Sequence, residues 1–560
     1  MAGEKIVYSP VTLWRGFDAL SPSFDTETVV EFENDGIELS YIYFNGVAYP
    51  DGVSRVYGVF ARRKGKKNLP AIVLLGHIGE PISEREAVFW AKRGYAVLAF
   101  DNMGETENGG KHTVYPESAS YANYAKSGRH LTNCDTNARE TCWYHWAANT
   151  RRAVSFVAAQ DCVDTSSIGL VASGDAAVTA CMAAAFDDRL SACAVLFGVC
   201  YQDIEIVEGQ TAEQIEKAEE RERWFAGIAP QSYLMHMHTP FFLCIAANSA
   251  KTDLDKTYDA LGLIPKETPW ALWISDKLPG SSGDVFVRNL DKWLTLRLKK
   301  QIDNALLPVV DFRVLRGRLN LIVRVPDEEE AQDVNIYFAR EAAENSVRNW
   351  NKINLENIAD GIYRAVVDVY DKKQACYAYC NVRYKGGLVL SGNLMEIGPD
   401  KLSAVTESRK TKIIYNGQMG LGSFQVYRPA AGGETSFYDE DKLEVKQGPD
   451  EIRGICGKSF ATFALNDSKY LKNDDGILAF DVYSKDPQEL TVSVVVDYGD
   501  GQKIYGVTEK LIGGELWQKV CVSLAELKGE RGRVPGSWSL CEVLCFEAER
   551  EVIINNVILN

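Results

Sequence analysis

The residues best placed for chemistry sit in one short stretch, Ala172-Ser173-Gly174-Asp175-Ala176. It follows the apolar run 168–171 and leads into a helical pattern over 176–186. Small residues two places either side of a centre mark a strand-to-helix turn too tight for larger side chains. Such a turn holds its central residue at the strand's carboxyl end, from where a side-chain nucleophile can attack. The centre here is Gly174, which has no oxygen or sulfur to attack with. Two displaced registers would keep a nucleophile. With Ser173 attacking, Asp175 falls where the turn demands a small residue. With Asp175 attacking as a carboxylate, Ser173 and Ala177 become the small residues.

The surrounding elements must position this turn. Strand-like runs cover 28–32, 55–60, 71–75, 95–100, 168–171, 194–197, 241–245 and 270–274. The last six are almost wholly apolar, as expected of strands buried on both faces of a parallel sheet. Helical patterns over 85–92, 143–160, 176–186 and 285–300 alternate with them, which predicts an α/β fold for residues 1–303. A charged helical insert at about 204–228 reads as a cap-like, solvent-facing helix. Beyond it the period changes to 2. Runs at 319–325, 334–338, 362–369 and 375–384 predict an Ig-like β-sandwich over 304–402. Cys376 and Cys380 should then share one face. Runs at 477–482, 490–498, 517–523 and 552–559 predict a jelly roll over 403–560.

Several segments carry a family resemblance: Gly58-Val59-Phe60-Ala61-Arg62, the stretch 69–79 ending Gly76-His77-Ile78-Gly79, the stretch 90–101, Arg151-Arg152-Ala153, and the turn at 172–176. Together they resemble α/β-hydrolases of the acetyl-xylan-esterase and dienelactone-hydrolase kind. The implied architecture is a doubly wound α/β-hydrolase sheet followed by two all-β sandwich domains. The resemblance also implies that the loop at 76–79 supplies half of an oxyanion hole. It implies an acid after the strand at 241–246, where the sequence reads Ala247-Asn248-Ser249-Ala250. It implies a histidine after 270–274, where Ser275-Asp276-Lys277-Leu278 begins an imidazole-free stretch. Asn248 and Ser249 cannot hold the charge that stabilises an imidazolium. The chain's six histidines are His77, His112, His130, His145, His236 and His238, and none follows either strand.

The expectation is therefore a catalytically degenerate esterase-like protein that binds a small molecule, a glycan or a protein partner. Its binding candidates are His77, Ile78, Asp101, Asn102, His130, His145, Asn248 and Ser249. All but His145, which falls in the helical pattern 143–160, lie at strand ends or in the long segment 104–142, and ligands of open α/β sheets bind at the carboxyl edge. Two alternatives remain: an active hydrolase using Ser173 or Asp175 with His77, or lyase-like chemistry in 101–145. His236-Met237-His238 reads as a packing segment. Neither a metal site nor a cofactor is expected, since no ligand spacing or phosphate-binding loop occurs. The last domain resembles carbohydrate-binding modules through 516–524 and 553–559. Tyr427, Phe437, Tyr438, Tyr470, Tyr498, Tyr505 and Trp538 could form a sugar platform there.

The 560 residues carry a net charge of −16, which speaks against nucleic-acid and anionic-membrane partners. No apolar run reaches spanning length. The thirteen cysteines are an odd, scattered set, expected to be reduced thiols. No export signal is visible at the start of the sequence, so a cytoplasmic location is expected. Homo-oligomers through the β-sandwiches are a further expectation.

Overall fold

The computed structural model describes residues 5–106, 109–127, 131–132, 134–203, 211–276, 278, 284–299, 307–326, 330–340, 342, 344–427, 442–499 and 501–560. Two compact units emerge from the chain's contacts. One holds Met1–Cys244, Lys256–Ala271 and Leu290–Asn304; the other holds Ile245–Asp255, Leu272–Asn289 and Ala305–Asn560.

The N-terminal sheet has nine strands: β1 (Glu27–Asn34), β2 (Ile37–Tyr49), β3 (Gly52–Arg63), β4 (Leu69–Leu75), β5 (Ala96–Phe100), β6 (Val163–Ser173), β7 (Leu190–Leu196), β8 (Phe241–Ala246) and β9 (Trp270–Ser275). Their spatial order is β1-β2-β3-β5-β4-β6-β7-β8-β9. β1 to β3 form an antiparallel meander joined antiparallel to β5. From β5 through β4, β6 and β7 to β8 the pairing is parallel. Every residue of β5 and of β8 is buried, and apolar runs without alternation form such strands when helices cover both faces. β2 has no counterpart among the expected strands. Its side chains alternate between buried and half-buried, so it lacks the unbroken apolar run that marks the central strands.

Helices Glu84–Lys92, Cys142–Ala158, Ala177–Ala184 and Asp284–Leu298 fall where the 3.6-residue period places them. α1 (Glu84–Lys92) starts at Ser83, whose hydroxyl accepts from the Glu86 amide at 3.2 Å, and Glu84 and Glu86 sit in its first turn. α2 (Cys142–Ala158) is capped by Thr141 and is buried along most of its length. α3 (Ala177–Ala184) follows β6 through a single turn and is buried at every residue. α4 (Ala212–Gly227) begins with a reciprocal capping pair, Thr211 and Gln214. α5 (Pro230–Leu234), α6 (Leu254–Leu261) and α7 (Asp284–Leu298) complete the set used below. Among the described residues, no helix is long and apolar enough to cross a membrane.

Two antiparallel sheets follow. One orders β10 (Val309–Leu315), β11 (Arg318–Arg324), β15 (Ile362–Val367) and β14 (Glu356–Ala359). The other orders β13 (Asn351–Ile353), β12 (Ala331–Arg340), β16 (Cys376–Tyr384) and β17 (Val389–Ser391), with β18 (Met395–Ile397) on β16. Cys376 and Cys380 are both buried, as their spacing predicts. The C-terminal strands, from Ile413 onward, build one nine-stranded sheet around the long strand Val543–Leu559. Phe460, Phe480, Phe546 and Trp538 lie in its core. An α/β sheet followed by all-β sheets is thus the fold the sequence predicts. All thirteen cysteines are unpaired, and only Cys521 is exposed.

Candidate functional site

The chain's outward turn between α1-flanked β4 and the strands beyond it creates a switch point. β5 lies on one side of β4 and β6 on the other, so the strand order reverses at β4, and ligands of open α/β sheets bind at the carboxyl edge of such a point. Leu75 pairs with Ala172 in the last register position, which brings the loop after β4 beside the turn after β6.

Gly174 is the apex of that turn. Its φ of +57° lies in the left-handed region, where glycine carries no Cβ penalty. Gly174–Ala176 form one 3-10 turn and α3 continues from it. A Cβ at Gly174 would stand 2.6 Å from Nδ1 and 3.1 Å from Cε1 of His77. The imidazole therefore fills the space where the side chain of an attacking residue would stand. The backbone is also approached from β7: a Cβ on Gly198 would meet the Gly174 carbonyl at 2.3 Å. Phe197, just before it, holds a φ of +52° while its amide donates to Cys244 O at 2.7 Å.

Ser173 and Asp175 occupy different settings. Ser173 still belongs to β6, extended at φ −118° and ψ 140°, paired with Leu196 and 7% exposed. Asp175 is exposed on the turn. Neither takes the apex.

The loop that carries His77 and Ile78 is held from outside. Gly79 has a φ of +84°, its amide donates to Met103 Sδ at 3.1 Å, and a Cβ on it would meet the Tyr124 ring at 2.9 Å. His77 and Ile78 are both half-buried. Tyr124 is itself tied in, its amide donating to Met103 O at 2.9 Å. The placement of the imidazole over Gly174 thus depends on Met103 and Tyr124, neither of which stands out in the sequence.

Asp101 and Asn102 serve the same segment as staples. The Asp101 carboxylate accepts from the amides of Met103 at 2.9 Å, Gly104 at 3.1 Å and Thr113 at 2.6 Å, while the Thr113 hydroxyl donates to the Asp101 carbonyl. Burial pushes this carboxyl up, and the amide bonds oppose that rise by favouring the charged form. Asn102 offers its carbonyl to the Tyr115 hydroxyl at 2.5 Å, and Asn149 Nδ2 donates to that hydroxyl at 3.0 Å.

His145 is 6% exposed on α2, with Tyr49 Oη 3.0 Å from Nδ1 and Tyr121 Oη 2.7 Å from Nε2. Burial lowers its pKa to about 4, so the ring is neutral at pH 7. One nitrogen then donates to a tyrosine and the other accepts from its partner tyrosine. Both ring nitrogens are committed, which makes His145 a packing group. His130 lies outside the described residues. His112 Nδ1 is 2.9 Å from Gly110 O, and His236 packs its ring 5.5 Å from Phe186. Met237 between His236 and His238 is fully buried, in keeping with a packing segment. No metal-ligating cluster occurs among the described residues.

Asn248 and Ser249 belong to the second compact unit. Asn248 Nδ2 donates to the carbonyls of Ser346 at 2.9 Å and Arg348 at 2.8 Å, and its own carbonyl accepts from Tyr498 Oη at 3.1 Å. Ser249 Oγ accepts from the Lys251 amide at 3.2 Å. Asn345 closes the same loop, donating to Ala247 O at 3.2 Å and Thr252 O at 2.9 Å. Within β9 the Ile274 amide donates to Ser391 Oγ at 2.7 Å, and beyond the strand the Leu278 amide donates to Gln425 Oε1 at 2.7 Å. These loops are spent on structural hydrogen bonds.

Two expectations need correction. The charged insert is solvated along its first turns, but its end is anchored. Arg223 donates to Cys134 O at 2.9 Å and Asp135 O at 3.0 Å, and Trp224 Nε1 donates to Leu131 O at 2.8 Å. The charges on the outer turns mask this inward face in the sequence. The aromatic platform is not one either. Tyr427, Tyr470, Tyr498 and Trp538 are core side chains, Tyr505 is half-buried, and Phe437 and Tyr438 lie outside the described residues.

Residues 18–210 match the family model for acetyl xylan esterase, AXE1. In fold, this region is an α/β-hydrolase of the acetyl-xylan-esterase kind. Among solved structures the chain is similar to an acetyl xylan esterase from Paenibacillus sp. R4, at 15% identity and a TM-score of 0.38, covering 50% of this chain and 91% of that one. It is also similar to acetyl xylan esterase 1 from Thermoanaerobacterium sp. JW/SL YS485, at 12% identity and a TM-score of 0.36, covering 49% and 88%. A third is a cold-adapted esterase from an Arctic intertidal metagenomic library, at 14% identity and a TM-score of 0.32, covering 50% and 100%. No curated protein matches the sequence. The matched stretch includes the turn after β6, with glycine at its apex and the His77 imidazole against it.

Proposed function

We propose that the hydrolase region is a catalytically degenerate esterase module that binds a small molecule or carbohydrate without cleaving it. The observation that carries this reading is the His77 ring against Gly174. Acyl transfer by this fold needs a side-chain nucleophile at the apex and a base beside it. Here the apex has no side chain, and a ring stands in the space one would use. The name of the matched family is the ground for a carbohydrate-related ligand.

The test is hydrolysis of p-nitrophenyl acetate and of acetylated xylo-oligosaccharides, together with intact-mass analysis after a fluorophosphonate. The expected result is no adduct and no turnover above that of a His77→Ala variant. Turnover abolished by Ser173→Ala, Asp175→Asn or His77→Ala would overturn the reading. It would favour instead an active esterase built on one of those side chains.

A further inference from the structure

We infer that the middle β-sandwich carries a binding groove for a neutral oligosaccharide. The groove encloses about 520 Å³ at the open end between the two sheets, inside the range of about 300–1,000 Å³ typical of ligand sites. It forms where the chain leaves β13 for β14, crossing from one sheet to the other through Asn354-Leu355. β12 supplies one wall and β15 the other.

The lining is chemically selective. Asp333, Asn335, Asn354 and Asn357 present planar carboxylate and carboxamide groups, Lys352 adds one cation, and Tyr363 adds a half-buried ring. Asn335 Nδ2 donates to Asp333 Oδ2 at 2.9 Å, fixing both groups on one face of β12. Asn357 stands directly opposite Tyr363 in the β14–β15 ladder, so their side chains project from the same face. A bulge in the β12–β16 register between Ala331 and Asp333 re-aims this end of the strand.

A sugar hydroxyl both donates and accepts, and carboxamides offer both functions in a fixed plane. A pyranose also has an apolar C–H face that suits an aromatic ring. Asp333 is paired with Arg383 at 4.0 Å and Lys352 is the one other charge lining these walls, too few cations for a nucleic acid or polyanion. The predominance of polar groups disfavours an apolar peptide. The groove owes nothing to the turn at Gly174, so it stands or falls separately from the proposed loss of hydrolysis.

Isothermal titration of the full chain with xylohexaose, cellohexaose, maltohexaose and mannohexaose tests the inference. At least one should bind in the high-micromolar to millimolar range. Tyr363→Ala and the exposed-site variant Asn357→Ala should each weaken it about tenfold, as loss of a central contact does. Unchanged circular dichroism in Asn357→Ala separates lost binding from lost folding. Absence of binding to all four sugars would refute the inference, as would binding untouched by both groove variants. Preferential binding of an oligogalacturonate would refute the neutral class.

Discussion

Introducing a methyl at the apex of the turn measures how tightly the imidazole closes it. In Gly174→Ala the new Cβ meets His77 Nδ1 at 2.6 Å, well inside normal contact, at a φ of +57°. The left-handed conformation costs an alanine about 1–2 kcal/mol, and overpacking against the ring adds about 1–3 kcal/mol. The single variant should therefore lose about 2–5 kcal/mol. In a His77→Ala background the overpacking vanishes and only the backbone cost remains. The two substitutions should then couple favourably by about 1–3 kcal/mol in a double-mutant cycle. Guanidinium unfolding of the four proteins, followed by tryptophan fluorescence, supplies the stabilities. The chain has two compact units, so the coupling is read from the transition that Gly174→Ala shifts. Hydrogen exchange of peptides spanning 168–184 locates the effect. Additive losses, within about 0.5 kcal/mol, would mean that the ring does not press on the apex, and the reading of a covered nucleophile position would fail.

Three further perturbations probe the groups around it. His145 has a folded pKa of about 4, below its unfolded value of about 6.5. Below the unfolded pKa the unfolded chain binds a proton that the folded chain refuses, so stability falls as pH drops from about 6.5 towards 4. The loss should approach about 3 kcal/mol at pH 4, and His145→Gln should flatten the melting temperature over that window. Buried Arg152 donates to the carbonyls of Gly46 at 3.0 Å, Ala19 at 2.8 Å, Asn45 at 2.9 Å and Pro22. Arg152→Met should cost about 3–5 kcal/mol through orphaned carbonyls, Arg152→Lys should not restore it, and limited proteolysis should open residues 5–23. Asn248→Asp restores an acid but turns an oxygen towards the Ser346 and Arg348 carbonyls. It should lower stability by about 2–4 kcal/mol at pH 7, partly recovered at pH 4 where the carboxyl can donate, and it should produce no esterase activity.

The turn at Gly174 was legible because its small residues sit at 172 and 176, a local pattern that tertiary contacts do not override. The central strands were legible for the same kind of reason: only an all-apolar run suits burial on both faces. What escaped is what depends on distant partners. The position of the His77 ring follows from the pairing of Leu75 with Ala172 and from Met103 and Tyr124, none adjacent in the chain. Asn248 finds its acceptors 98 and 100 residues further on. No local pattern distinguishes such an amide from a free one. The C-terminal aromatics illustrate the opposite error. An aromatic in a period-2 run reads equally as platform or core, and most of those described proved to be core.

Two of the positions where catalytic groups are expected, 174 and 248, are built into the local structure. An aspartate at 248 could accept but not donate, so it could not bond the two carbonyls that Asn248 Nδ2 now joins. In the stretch after β9, where the family resemblance implies a histidine, the Leu278 amide donates to Gln425. The histidine that does reach the neighbourhood of the turn comes from the loop after β4 and lies against the apex itself. A serine placed at 174 would thus have to displace the His77 ring. A carboxylate at 248 would lose the bonds that Nδ2 now makes, and a side chain at 174 would crowd the His77 ring. Gly174→Ser, His77→Ala and Asn248→Asp in combination should therefore be less stable than wild type and should show no esterase activity in the p-nitrophenyl acetate assay.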